Sequence, residues 1–373
     1  MPKLTPKQVL LLKAALFKGN DAQTAWNEWK SVESLDFIDE ESYVLLPQVY
    51  KNLLSRGIES RELNKLKGIY RHTWCKNTIL IEQVIPLLQR LKEVGIPTLI
   101  LNRASLITAY ANDIGLMPLT RVDIAIQKEH SGEVVKWFHQ LGWSSWEMEP
   151  EKTLSTRGRI LLKGAKGEFC QIHSQILETY INPRADQYFW KHVSQSQWSN
   201  FTISNLNPNA YLLKSVIDGA ESDSGISPIW VTEVYRLLSL TQPKVDWEEV
   251  LDQVQRLSLT IPFKRHVQQA VDVVDLHLSP DLFKYIENLS STKLEELEYA
   301  AKVSRCSNEG GLLSRLSIHW CHYGRTESEG GRIQRILGFM GYLQKSWHLK
   351  HLWQMPLYGL LRSVRRIIRE GFV

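Results

Sequence analysis

The sequence is poor in cysteine. Four stand in 373 residues, at positions 75, 170, 306 and 321, and no two form a CxxC pair. That spacing excludes a disulfide-stapled secreted scaffold and points to a reducing compartment, so a cytoplasmic protein is expected. Long apolar runs are also missing. No stretch approaches the ~18 uninterrupted apolar residues of a membrane span. The opening MPKLTPKQVLLLKAALFKGNDAQ has an apolar run too short and too interrupted by Lys for a secretory signal. No Gly-x-Ser-x-Gly or Ser/His/Asp arrangement stands out, and no internal repeat. Gly310-Gly311 and Gly330-Gly331 lack the strand–loop–helix setting of a phosphate loop. His319, Cys321 and His322, with Cys306 upstream, are zinc-ligand types whose spacing fits no standard closed site. They read as a helix-surface cluster.

What is present argues for a packed core. Apolar residues make up 43% and charged residues 23%, which excludes global disorder. Thirteen tryptophans are expected to anchor helix packing. The net charge of +5 is unevenly spread. Residues 331–373 carry +7, leaving −2 for the rest, so the excess belongs to the C-terminal segment. There Leu357, Leu360, Leu361, Val364, Ile367 and Ile368 fall on one helical face, and Arg362, Arg365, Arg366 and Arg369 on the other. Three readings stay open: a solvated helix capping the core, a partner or nucleic-acid contact through 332–369, and a membrane surface. The nucleic-acid contact is not the favoured one.

Periodicity divides the chain into an N-terminal helical region (1–94), an α/β core (95–180), a second helical region (181–330) and a basic amphipathic tail (331–373). Thr5 followed by Pro6 is an N-cap with proline at the first helical position. Leu80, Ile81, Val84, Ile85, Leu87, Leu88 and Leu91 mark a strongly apolar helix, and Gly95 suits its C-terminal cap. In the core, Pro97 to Leu101 reads as a strand, Leu106 to Tyr110 as helical, and Arg121 to Ile126 as a strand, since Val122, Ile124 and Ile126 alternate with Arg121, Asp123 and Ala125. Arg159 to Leu162, Glu168 to His173 and Trp143 to Met148 read as further strands. Trp230 to Leu240 and Asp246 to Leu257 are amphipathic helices, and Asp218 to Pro228 reads as a loop. The fold class expected is α+β: a small mixed sheet embedded in a largely helical chain.

Taken together these segments resemble a known family. Gly95-Ile96, an apolar strand, Ala104, Leu106 and Tyr110, then Pro118-Leu119, Val122-Asp123-Ile124 and Leu141-Gly142-Trp143 look like the poorly characterised nucleotidyltransferases of the DNA polymerase β-like superfamily. Gln171-Ile172-His173, Asp218-Gly219, Trp230 with Glu233, Asp246-Trp247 and Pro356-Leu357-Tyr358 are similar to later elements of the same family. The resemblance covers most of the chain. It implies a nucleotidyltransferase-like core in which strand carboxylates hold Mg²⁺ against nucleotide phosphates.

The departures from that pattern fall where the chemistry would be. Asn102-Arg103 stand where the family has Lys-Gly, Arg121 where it has the first acid of Asp-x-Asp, and Gln171 where it has a third acid. Asp218 replaces a loop His, and Glu233 a helix Asp. Two carboxylates two residues apart on a strand share a face and can hold Mg²⁺, which binds hard anionic oxygens. Arg121 puts a cation on that face instead, beside Asp123. Asp123 is the one retained catalytic or metal-binding carboxylate. Asn102, Arg103, Ser105, Arg121, Gln171 and His173 are the remaining candidates for ligand binding. Asp113 and Glu129 are substitute acids, better suited to a turn and a helix start. The expectation is a degenerate nucleotidyltransferase that needs no cofactor and binds a protein partner or a nucleotide or phosphate ligand. The alternative is an active Mg²⁺- and NTP-dependent enzyme.

Overall fold

A computed structural model describes residues 4–355 except 59–60, 178–182, 199, 222–226, 241–244, 275–277, 307–311, 326–331, 348 and 350. The apolar and arginine faces read at 357–369 lie outside the described residues. The N-terminal helices are α1 (Pro6–Leu16), α2 (Asn20–Val32), α3 (Glu40–Tyr43), α4 (Leu46–Ser55) and the long α5 (Leu63–Glu93). At α1, Thr5 accepts from the Gln8 amide while the Gln8 side chain accepts from the Thr5 amide, a closed capping box. Gly95 ends α5 at φ 78°. Its amide donates to Lys92 and that of Ile96 to Leu91, the paired bonds of a Schellman cap.

Next come β1 (Thr98–Leu101), α6 (Asn102–Ser105), a π-helical turn (Leu106–Tyr110), β2 (Val122–Ile126), α7 (Ser131–Gln140), β3 (Ser144–Ser145), α8 (Pro150–Arg157), β4 (Arg159–Lys163) and β5 (Phe169–His173). After α9 (Pro183–Lys191), β6 (Val193–Trp198) and β7 (Phe201–Leu206) complete a mixed sheet of seven strands, ordered β3-β4-β5-β2-β1-β7-β6. The chain is thus α+β, as expected. The sheet runs further than expected, however. Residues 193–206 fall in the stretch read as helical, yet they pair as an antiparallel hairpin, and β7 joins β1 in parallel. Their polar spacing, VSQSQW, suits a pair of strands whose outer positions face water.

The helices that follow are α10 (Pro208–Glu221), α11 (Pro228–Leu240), α12 (Trp247–Arg256), α13 (Thr260–Val274), α14 (Pro280–Asn288), α15 (Lys293–Cys306), α16 (Leu312–Arg325) and α17 (Arg332–Ser346). Asp218 and Gly219, read as part of a loop, lie within α10.

The two faces of the sheet are covered differently. Ile100, Val122, Ile124, Ile126, Cys170 and Ile172 pack with Leu80 to Leu91 of α5 and with Val134, Val135 and Phe138 of α7. On the opposite face Leu99, Leu101 and Ala125 join a larger core built from α1, α2, α4 and α10 to α13. The N-terminal helices therefore pack into the second helical region. Tyr235 of α11 donates to the Leu16 carbonyl, and Arg236 to Gln48. No helix among the described residues is long and apolar enough to cross a membrane.

One buried polar side chain fixes the link between β1 and β2. Asn77 of α5 donates to the carbonyls of Ile114 and Met117 and accepts from the Leu119 amide. It thereby orders the loop that delivers Arg121. Asn77→Ala should leave two carbonyls and an amide without partners and lower the free energy of unfolding by about 2–3 kcal/mol, measured by urea denaturation.

Candidate active-site cleft

The cleft forms where β1 ends and β2 begins, against α10, α11 and α13. It has a volume of about 260 Å³. Asn102, Arg103, Leu119, Arg121 and Asp123 line the sheet side. Tyr211, Lys214, Asp218 and Gly219 come from α10, Trp230 and Glu233 from α11, and His266 from α13. Asn102 and Arg103 lie at the junction of β1 and α6, where Tyr211 holds the Asn102 carbonyl and Tyr110 packs edge-on against the Tyr211 ring. Tyr110 donates to the Leu206 carbonyl of β7, and Tyr211 to that of Asn102 at 3.1 Å. Asn102 sits at φ 56°, a left-handed conformation that asparagine tolerates better than most residues. The adjoining π-helical turn, closed by the Ala111 amide on the Leu106 carbonyl, is a feature often found beside functional sites.

Strand register determines Asp123's neighbours. It lies opposite Leu101 of β1 and Gln171 of β5, and alternation puts all three on the cleft face. Asp123 is buried, and one of its oxygens, Oδ1, meets Arg121 Nε and His173 Nε2, each at 3.0 Å. Burial alone would raise its pKa. The hydrogen bond and charge of His173, with the charge and hydrogen bond of Arg121, outweigh burial and hold it at about 2.

The other two acids of the cleft are also matched. Lys214 Nζ lies 2.6 Å from Asp218 Oδ2, one helical turn away. Arg103 Nε lies 4.0 Å from Glu233 Oε1. This last pair is loose. Burial dominates Glu233 and raises its carboxyl to about 7, against the lowering charge of Arg103. His266 packs edge-on against Trp230 at 4.4 Å. Burial lowers its pKa to about 4, so it is neutral at pH 7, with Nδ1 donating to the Pro262 carbonyl at 2.6 Å. The close approach of α13 requires Gly219. A Cβ there would meet His266 Nε2 at 2.6 Å.

Of the residues singled out from sequence, Asn102, Arg103, Arg121 and Asp123 line the cleft together. His173 and Gln171 stand beside Asp123 on β5, away from the open space. Ser105 is fully buried and its hydroxyl has no hydrogen-bond partner. Asp113 is taken up in a turn by the Tyr70 hydroxyl, the Gly115 amide and Lys51, while Glu129 lies within a 3-10 turn, Lys128–His130. Tyr211, Lys214 and His266 were missed. Each comes from a helix far along the chain, and no local pattern distinguishes it from a core residue.

This donor set does not fit Mg²⁺. The metal would need a second anionic oxygen beside Asp123. The neighbour two residues earlier, just before β2, is instead the Arg121 guanidinium, and the register partner on β5 is the neutral Gln171. Among the described residues no group of three His, Cys, Asp or Glu side chains is arranged to hold a metal ion, the helix cluster around His319 and His322 included. His322 instead meets Glu298 at 3.2 Å.

A mixed sheet with a cleft where β1 ends and β2 begins is consistent with a nucleotidyltransferase-like core. The pattern that defines the family described as "Uncharacterised nucleotidyltransferase" matches residues 42–274, and the chain belongs to that family. No curated protein and no solved structure matches it.

Two titrations check this electrostatic description. The pKa of Asp123 is lowered by folding, so its stabilisation is complete above the unfolded value of about 3.8 and is lost as pH falls through about 2. Asp123→Asn should cost roughly 2 kcal/mol at pH 7, with the deficit closing below pH ~4. Glu233 has the opposite sign. Its folded pKa is raised, so its ionisation destabilises the fold as pH rises from about 4.5 through about 7. Glu233→Gln should be nearly neutral at the acid end and stabilise by on the order of 2–3 kcal/mol at pH ~8. Chemical denaturation across pH measures both.

Proposed function

We propose that this protein has kept the cleft of a nucleotidyltransferase without its transfer chemistry, and that it acts by binding. The cleft takes a nucleotide or another phosphorylated ligand, and the protein serves as an accessory to a protein partner. One observation carries this reading: each acid lining the cleft has a basic side chain of the cleft beside it, Asp123 with Arg121, Asp218 with Lys214 and Glu233 with Arg103. Carboxylates matched in this way are poor metal ligands. The same cations are suited to phosphate oxygens, arginine above all, because its planar fork can grip two of them. The loose Arg103–Glu233 pair supports Arg103 as the first to turn toward an incoming anion, at little cost once Glu233 is protonated. No cofactor enters this reading. A cytoplasmic location belongs to it as well, and rests on the sparse cysteines, no two of which form a CxxC pair.

A second reading has one observation in its favour: three carboxylates, Asp123, Asp218 and Glu233, line a single cavity. Rearranged around Mg²⁺ and an NTP, they would support transfer of a nucleoside monophosphate to an unidentified acceptor.

Thermal unfolding with Mg-ATP, Mg-GTP and Mg-CTP, each repeated with EDTA in place of Mg²⁺, separates the two. Occupancy at a hundredfold excess over Kd stabilises by roughly 2.7 kcal/mol. The binding reading expects a shift with at least one nucleotide, retained in EDTA and in Asp123→Asn but lost in an Arg103→Ala, Arg121→Ala variant. A shift that requires both Mg²⁺ and Asp123 would establish the second reading. No shift with any nucleotide would remove the cleft ligand from the proposal.

A further inference from the structure

The larger helical core covers the cleft face of the sheet unevenly. Among the described residues, none of β3, β4 or β5 belongs to that core. Those strands carry the face onward from the cleft. Register sets Leu161 of β4 beside Gln171, and Lys163 beside Phe169. Arg121 stands one residue before the Val122–Cys170 pair, alongside Phe169. Arg121, Phe169 and Lys163 therefore form a row from the start of β2 across β5 to β4, about 10 Å long at the usual strand spacing. β4 turns Arg159, Leu161 and Lys163 to water. Trp146, just after β3, is 65% exposed and lies against the Phe169 ring, with centroids 5.9 Å apart and planes 31° from parallel.

The charge of this face is one-sided. Residues 157–167 hold Arg157, Arg159, Lys163 and Lys166 and no Asp or Glu. The acid nearest in the β3–α8 link, Glu147, is matched by Arg157 at 3.3 Å. Glu168 alternates with Phe169 and so points to the opposite face, with Cys170. We infer that the β3–β5 face binds single-stranded nucleic acid, with Trp146 and Phe169 as a stacking platform for bases and Arg159, Lys163 and Lys166 beside its phosphates. A single strand offers flat unpaired bases on a backbone of negative charge, so it satisfies the rings and the cations together. A duplex hides its base faces. An acidic polypeptide would match the cations and leave the rings without a stacking partner. A second copy would bring like charges together. The surface adjoins the cleft at Arg121, uses none of the cleft's acids and does not depend on a ligand there.

The test is fluorescence anisotropy of the full chain with labelled oligouridylate and oligothymidylate of about twelve nucleotides. Binding is expected, falling as salt rises and weaker for a duplex of the same length. Trp146→Ala, at an exposed position, should weaken it by about tenfold or more with the salt dependence unchanged, while Trp146→Phe keeps most of it. Lys163→Glu with Lys166→Glu should weaken it and flatten the salt dependence. The unfolding temperatures of these variants should match the wild type. Absence of binding would overturn the proposal, as would equal binding by Trp146→Ala. Competition by polyglutamate as effective as by unlabelled oligonucleotide would give the face to an acidic polypeptide and refute it. The nucleotide thermal shift, measured on the same variants, keeps the two proposals apart. A nucleotide shift without oligonucleotide binding overturns this inference alone. Oligonucleotide binding that depends on Trp146, without any nucleotide shift, upholds it while the cleft ligand falls.

Discussion

Asp123 is a buried anion on a central strand of the sheet, and the cleft is built around keeping that charge satisfied. One carboxylate oxygen receives Arg121 from the residue just before the strand and His173 from the neighbouring strand β5. An unpaired buried carboxylate would be costly, whereas this one is held ionised. The same arrangement fixes what the cleft can do. A charge neutralised from two sides within the protein has little left to offer a divalent cation. In the proposed reading, the pairing that stabilises the fold is also what sets this chain apart from metal-dependent transfer.

The surrounding structure repeats the theme at longer range. The sheet contributes Arg103 and Arg121, the helices contribute Lys214, Asp218 and Glu233, and each acid ends beside a base. Asn77 orders the loop before Arg121, and Tyr211 holds the turn at Asn102. Glu233 is the weak point of this balance. It is buried, its partner stands 4.0 Å away, and its carboxyl titrates near neutrality. A cleft whose net charge changes near pH 7 should respond to both ligand charge and pH.

Much of this was legible before any coordinates. Alternation along Arg121 to Ile126 set Arg121 and Asp123 on one face, and the order of weak motifs pointed to the family. Those signals are local or are carried by motif order. The rest depends on tertiary contact. The hairpin at 193–206 has polar outer positions and only a single register contact to β1, so its strand character was hidden. The Gly/Ser/Asp-rich stretch after residue 218 suggested a loop, but α10 runs through Gly219 because its closeness to His266 demands a residue without a side chain. Lys214 and His266 acquire a role only because helices distant in sequence close over the sheet.

The central claim is that Arg121 and Gln171 occupy the places where metal-binding acids would complete a site with Asp123. The most direct measurement is Mn²⁺ titration, followed by electron paramagnetic resonance, of the wild-type chain and of an Arg121→Asp, Gln171→Glu variant. The account predicts no specific site in the wild type and a specific site in the double variant, abolished by adding Asp123→Asn. A specific Mn²⁺ site in the wild-type chain that disappears in Asp123→Asn would contradict it.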